Sequence, residues 1–164
     1  MMKTTVMCLC AALALTACQS QSGAGIAMVD PVPVSRVNTS MDIEGQILAS
    51  VNAERARKGL QPLVYNRLLT RAALIHAQDL ERSGIFSHTG SDGSTAGKRA
   101  RRVGYDFCIV GENLSMGYAS LEAAMQGWMT SKGHRDNILN RRFTEIGIGI
   151  AEGARYVTVF GSRC

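Results

Sequence analysis

Aromatic residues are scarce in this sequence: four Phe, four Tyr and one Trp make up 5% of its 164 residues. The core must therefore be built from Leu, Ile, Val, Ala and Met. Histidine is scarcer still, at three residues, so a site built on imidazole can draw only on His76, His88 and His134. The apolar run Val6 to Ala14 is too short to cross a bilayer as a mature helix, which takes about 20 residues. No Cys lies in a CxxC or metal-ligand spacing. There is no HExxH, no nucleophile elbow and no other committed catalytic motif, and no internal repeat. Net charge is +5 with a pI near 9.2, which suits an anionic partner. Yet the densest basic cluster, Arg99, Arg101 and Arg102, has no aromatics interleaved with it. That argues against nucleic acid as a partner.

The length suits one domain with a real core and is short for two. The start, Met1-Met2-Lys3 followed by an apolar run, is built like an export signal. The run ends Leu15-Thr16-Ala17-Cys18, which resembles a bacterial lipobox. On that reading residues 1–17 are a lipoprotein signal peptide, and Cys18 becomes the lipidated first residue of an exported chain anchored to the cell membrane or outer membrane. Gln19, rather than Asp, leans toward the outer membrane. The alternative is an ordinary signal cut after Thr16-Ala17. Residues 18–41, rich in Ser, Gly, Gln and Pro, read as a flexible tether, and 42–164 as the folded domain. Cys8 and Cys10 leave with the signal. Cys108 and Cys164 remain as an even pair, expected to bridge in an oxidising envelope; two separate thiols are the alternative.

From Asp42 the pattern becomes helical. Ile43, Ile47, Leu48 and Val51 recur at helical spacing, with Ser40 or Asp42 able to cap the start and Gly59 to stop it. Leu60 to Leu63 is a short extended link. Asn66 can cap a second helix carrying Leu69, Ala72, Ala73, Ile75, Ala77 and Leu80 and ending at Gly84; His76 within it reads as a packed histidine. Phe86 to Gly97 is a polar loop containing His88. Ala96 to Val103 is a short basic helix ended by Gly104, and Tyr105 to Val110 is extended. Ser120 can cap a helix through Leu121, Ala124, Met125 and Trp128, which makes Trp128 a core residue, and Gly133 breaks it before a further turn. Glu145–Ile150 and Tyr156–Phe160 alternate as strands, joined by a turn at Glu152–Arg155. Gly147 and Gly149 share one strand face, so either something packs closely there or the strand bulges. Helices flanking a small antiparallel sheet make an α+β domain.

The chemistry concentrates between Gly111 and Leu139. Gly111-Glu112-Asn113 opens this stretch, Trp128 sits within it, and Ser131-Lys132-Gly133-His134-Arg135-Asp136-Asn137 closes it. With Ser87-His88 as its partner fragment, His88, Glu112 and His134 are expected to converge on one polar site.

These pieces resemble the CAP superfamily, which includes cysteine-rich secretory and pathogenesis-related proteins, and within it the short bacterial secreted members. The likeness runs from about Ile43 to Gly161. It rests on Asn52-Ala53-Glu54-Arg55, Ala77-Gln78-Asp79-Leu80, Ser87-His88, Gly111-Glu112-Asn113, Trp128 with Ser131, Gly133-His134-Arg135 with Asn137-Ile138-Leu139, and Phe143 with Ile146-Gly147-Ile148-Gly149. The resemblance implies a three-layer α-β-α sandwich with a central antiparallel sheet and a cleft whose His and Glu positions fall on His88, Glu112 and His134. The sequence departs from the family where many members carry a second cleft carboxylate. Ser131 stands there, and Arg135-Asp136-Asn137 replaces a Tyr-Thr-Gln.

Two neutral imidazoles suit Zn²⁺, so His88 and His134 are the metal-ligand candidates, with Glu112, Asn113 and Ser131 behind them. Two ligands make a weak, reversible site that empties as the imidazoles protonate. In the alternative, Glu112 simply bridges the two His and fixes the cleft loops. Three functions stay open. A binding module would hold a lipid, sterol or envelope ligand in the cleft or an apolar groove. A weak hydrolase would take its catalytic groups from His88, Glu112 and His134, with Ser87 or Ser131 as a nucleophile. A structural envelope protein would use the domain for contacts alone. The first is favoured, so the chain reads as a binder rather than an enzyme.

Overall fold

The computed structural model of the chain describes residues 35–164, with side chains from Ile43 onward. The export signal, the lipidation at Cys18 and the tether up to residue 34 lie outside the described residues.

Helix α1 spans Ser35–Ala56, so it begins within the stretch expected as tether. No Pro or Gly interrupts Ser35 to Asp42, and Ser40 and Asp42 lie within the helix rather than capping it. The chain reverses at Gly59, whose φ of +63° is in the left-handed region. Strand β1 is Val64–Tyr65. Helix α2, Arg67–Ser83, starts where the Asn66 side chain accepts from Leu68 N and Leu69 N, and stops at Gly84, φ +69°. Helix α3 is Ala96–Arg102, capped by Thr95, and strand β2 is Ile109–Ser115. Helix α4, Leu121–Thr130, is capped by Ser120, and α5 is Lys132–Ile138. The break between them falls at Ser131, which is extended (φ −79°, ψ 122°), and not at Gly133, which sits inside α5. Strands β3, Glu145–Ala151, and β4, Arg155–Ser162, form the hairpin that the alternation predicts.

The sheet order is β1-β3-β4-β2. The β2–β4 and β4–β3 pairs are antiparallel, as expected. The added edge strand β1 runs parallel to β3; two residues are too few to carry a readable period. The sheet is buried on both faces. Ile146 and Ile148 of β3, with Tyr156 and Phe160 of β4, face a cluster with Ile47 and Val51 of α1 and with Met125, Trp128 and Ile138 of α4 and α5. Val157 and Val159 face Leu69, Ala73, Ala77 and Leu80 of α2 and Ala100 of α3. This is a three-layer α-β-α sandwich.

The Gly147/Gly149 alternatives resolve as close packing. A Cβ at Gly147 would run into the Leu69 and Thr70 backbone, and one at Gly149 into Ala73 and Leu74. Helix α2 therefore lies directly on β3. Cys108 and Cys164 are bonded, with Cα atoms 4.9 Å apart, tying the chain end to the entrance of β2. Closing a 56-residue separation contributes about 4 kcal/mol in the chain-entropy picture.

Candidate functional site

Alternation along β2 divides its side chains between the two layers. Val110 and Leu114 pack with the α2/α3 cluster, so Glu112, between them, points to the same side. Asn113 points to the other, toward α5. Because β2 is an edge strand, elements from both layers can reach it.

Glu112 is the hub on the α2/α3 side. Its side chain is only 3% exposed. Arg99 Nη2 donates to Oε2 at 2.7 Å, and His88 Nδ1 meets Oε1 at 2.9 Å. His76 Nε2 lies 3.8 Å from the same Oε1 and donates to the Ser87 carbonyl at 2.9 Å. A carbonyl can only accept, so Nε2 of His76 carries the proton. A carboxylate likewise accepts, so His88 carries its proton on Nδ1. The Nε2 of a neutral His88 is then a free lone pair on a side chain that is 59% exposed.

The loop carrying His88 is held at several points. Asp79 accepts from Ser91 N at 2.7 Å and from Ser91 Oγ at 2.5 Å. Asp92 accepts from Ser94 N at 2.9 Å and from Arg102 at 2.8 Å. The Ser91 hydrogen bonds hold the Asp79 carboxyl below its ordinary range, and those of Ser94 and Arg102 hold Asp92 well below its own. Arg99 reaches two carbonyls of the loop, Ser94 at 2.7 Å and His88 at 3.2 Å. Burial pushes the His76 imidazole down, against the pull of the Glu112 charge.

On the α5 side, Asn113 is fully buried and donates to the His134 carbonyl at 3.0 Å. Asn137 Nδ2 donates to Asn113 Oδ1 at 2.9 Å and to the Glu112 carbonyl at 3.1 Å. Trp128 Nε1 donates to the Leu114 carbonyl at 2.9 Å, so the Glu112 and Leu114 carbonyls of β2 are both satisfied by side chains. Gly111 is required by the same packing, since a Cβ there would come within 2.8 Å of Phe143 and 2.9 Å of Asn137 Oδ1. His134 is thus fixed through its backbone on α5. Its imidazole is pushed down by burial and then by the charge of His88.

The residues expected to converge are therefore arranged unequally. His88 and Glu112 are in direct contact, whereas His134 is tied to β2 through its backbone carbonyl on Asn113. Ser131 marks the α4/α5 junction and makes no side-chain capping bond; Ser87 Oγ accepts from Thr89 N. Nitrogen donors for a metal ion are His88 Nε2 and the His134 ring. Both Glu112 oxygens are engaged, and among the described residues no three His, Cys, Asp or Glu group to hold an ion. The donors on offer to an ion are thus at most two imidazoles, short of the four ligands of a structural Zn²⁺ site.

Sequence reasoning missed Arg99 as part of the site and placed His76 only in the core. The signal was present in the helix period. His76 lies on the inward stripe of Leu69, Ala72, Ala73 and Leu80, and Arg99 on that of Ala96, Ala100 and Val103. A polar group on an apolar stripe needs a buried partner. The basic cluster itself divides three ways: Arg99 on Glu112, Arg101 stacked 4.4 Å over Phe107, and Arg102 on Asp92.

Comparison with known proteins agrees with this architecture. Protein YkwD of Bacillus subtilis strain 168 is 34% identical over 109 residues, covering 66% of this chain and 42% of its own. A crystallised extracellular protein containing an SCP domain from Bacillus anthracis is 32% identical with a TM-score of 0.72, covering 75% of this chain and 41% of that one. The chain thus spans about two fifths of the length of either. An outer surface protein of Borrelia burgdorferi, at 21% identity, shares the fold with a TM-score of 0.71 over 76% of this chain and 96% of its own. Among the described residues no helix is long and apolar enough to cross a membrane. The model of the cysteine-rich secretory protein family, CAP, matches residues 48–161, and the chain belongs to that family.

Proposed function

We propose that this chain is an exported, lipid-anchored CAP module of the cell envelope that binds a lipid, sterol or other envelope ligand at the cleft of His88, Glu112 and His134. One observation carries the preference for binding over hydrolysis. Both oxygens of Glu112 are engaged, one by Arg99 at 2.7 Å and one by His88 at 2.9 Å. A carboxylate so held orients an imidazole and is not free to take a proton from water. No Ser hydroxyl among the described residues is hydrogen-bonded to His88 or His134, so no activated nucleophile stands beside them. A separate groove between α1 and α4 mixes Ala53, Leu121, Met125 and Met129 with Glu54, Arg57 and Glu122, a lining suited to an amphipathic ligand such as a lipid. Export is in keeping with the extracellular description of the Bacillus anthracis relative, and lipid anchoring with the lipobox-like run Leu15-Thr16-Ala17-Cys18.

Zn²⁺ would be held by His88 Nε2 and His134, and when bound would supply a Lewis-acidic point for an anionic group of the ligand. The test is Zn²⁺ titration calorimetry on the full chain beside the His88→Asn/His134→Asn double variant. Saturable one-to-one binding, absent in the double variant and weaker at pH 5.5 than at 7.5, is expected. No binding by the folded wild type would sink the metal reading. Hydrolysis of an envelope ester or peptide that disappears in Glu112→Gln would overturn the preference for a binder.

A further inference from the structure

The position of His88 is decided by two buried side chains outside the predicted site. Left alone, a loop histidine flanked by Ser87 and Thr89 would sample many orientations and both neutral tautomers. Here both carbonyls around it are tied to helices on the sheet face. The Ser87 carbonyl accepts from His76 Nε2 on α2 at 2.9 Å, and the His88 carbonyl from Arg99 Nη2 on α3 at 3.2 Å. His76 is fully buried and Arg99 is 1% exposed. Arg99 Nη2 also takes Oε2 of Glu112 at 2.7 Å, which leaves Oε1 to receive the His88 ring at 2.9 Å. One guanidinium therefore fixes both the carboxylate that orients the imidazole and the peptide that carries it.

We propose that Arg99 and His76 are positioning residues that hold His88 as its Nδ1–H tautomer, with the Nε2 lone pair directed outward for whatever the cleft binds. This deepens the binding reading given above, yet its readout needs neither ligand nor metal. Arg99 acts through charge and the planar fork of its donors, so Lys can replace the charge but not the geometry. His76 acts through one donor, so an amide can replace it and a hydrocarbon cannot.

The experiment is long-range ¹H–¹⁵N correlation on the ¹⁵N-histidine-labelled full chain without metal, at a pH where imidazoles are neutral. Trp128 fluorescence reports folding. In the wild type, His88 is expected as a single Nδ1–H species. Arg99→Ala should give a tautomer mixture, and Arg99→Lys an intermediate ratio. His76→Leu should release the ring in the same way, and His76→Gln should restore the wild-type spectrum. Added Zn²⁺, where the wild type binds it, should bind about 10- to 100-fold more weakly to Arg99→Ala. An Nε2–H wild-type His88, or a pure Nδ1–H signal in both folded Arg99→Ala and folded His76→Leu, overturns the proposal. Should Arg99→Ala not fold, an unchanged spectrum in Arg99→Lys together with one in His76→Leu overturns it equally. Failure of Zn²⁺ binding with the tautomer pattern intact would count against the metal alone.

Discussion

Arg55 and Arg99 are both 1% exposed, one in each helical layer, and they donate to different kinds of partner. Arg55, on α1, donates to four backbone carbonyls: Gln61 at 2.8 Å, Ile138 at 2.8 Å, Asn140 at 2.9 Å and Phe143 at 3.3 Å. None of its acceptors is a carboxylate. Burial lowers its affinity for the proton below the ordinary arginine value, but a guanidinium remains charged regardless. Arg99, on α3, holds carbonyls as well, but its second terminal nitrogen is on Glu112. The first arginine splices α1 to the segment between α5 and β3, a scaffold task in which directional donors matter more than charge balance. The second completes a charged set, in which a carboxylate is shared between a guanidinium and an imidazole that faces solvent. Equal burial thus goes with unequal roles, and the partner's chemistry separates them.

The largest effect that sharpens this contrast is expected from Arg55→Ala. It leaves four acceptors without their donor and a void where a long side chain was, at a cost of about 4–5 kcal/mol in urea unfolding. The His88 imidazole signals should be unchanged wherever the variant still folds. Arg99→Ala comes next, at about 3–4 kcal/mol, because Glu112 is left as a buried charge without its partner. Here the remedy differs. Adding Glu112→Gln to Arg99→Ala removes the orphaned charge, so the double variant should be more stable than Arg99→Ala alone. A double-mutant cycle on Arg99 and Glu112 reads that coupling directly. Strictly additive losses would show that Arg99, like Arg55, serves only carbonyls, and the contrast would collapse.

The two layers were not equally legible in the sequence. Caps and stops at Asn66, Gly84 and Ser120 are local devices, and the helices they bound follow from short-range rules. The β3–β4 hairpin was readable because alternation survives in Ile146, Ile148 and Ile150. Gly147 and Gly149 announced a close approach without naming what approaches; only the packing of α2 shows it. His88, Glu112 and His134 were singled out by motif; His88 and Glu112 are in contact, while His134 is joined to β2 through its backbone carbonyl on Asn113. What the motif could not supply was Arg99 and His76, because their role depends on two helices docking on the face toward which Glu112 points. The basic run Arg99, Arg101 and Arg102 looked like a surface feature. In the fold, one member is buried, one stacks on an aromatic and one is ion-paired, and no linear pattern distinguishes them. The parallel pairing of β1 was out of reach for the same reason: its partner, β3, is about 80 residues away along the chain.

The smallest effect expected is one of pH, and it belongs to the Arg99 layer. His76 on α2 faces Glu112 from β2, Arg99 from α3, the Ser87 carbonyl from the loop and Asp79 from its own helix. Burial is the largest influence and lowers its pKa from 6.5, the Glu112 charge opposes it, and Arg99 adds to the lowering. His134 is shifted in the same direction, by burial and by His88. With the folded pKa below the unfolded one, the unfolded chain binds the proton first. The contribution to stability is complete above pH 6.5 and is lost as the pH falls toward the folded value. The lowered carboxyls Asp79 and Asp92 act with the same sign, but only below their ordinary value of 3.8, so the two windows separate. Thermal midpoints should therefore fall between pH 7.5 and 5.5, well before the carboxylates titrate. His76→Gln, which keeps the donor to Ser87 and cannot be protonated, should flatten that fall and leave the slope due to His134. Arg55 has no titrating imidazole against it, so Arg55→Lys should lower the midpoint at both pH values alike and leave the slope untouched. A wild-type midpoint that does not move between pH 7.5 and 5.5 would mean that His76 takes its proton in the fold as readily as in the unfolded chain, and the two layers would then not differ in their response to acid.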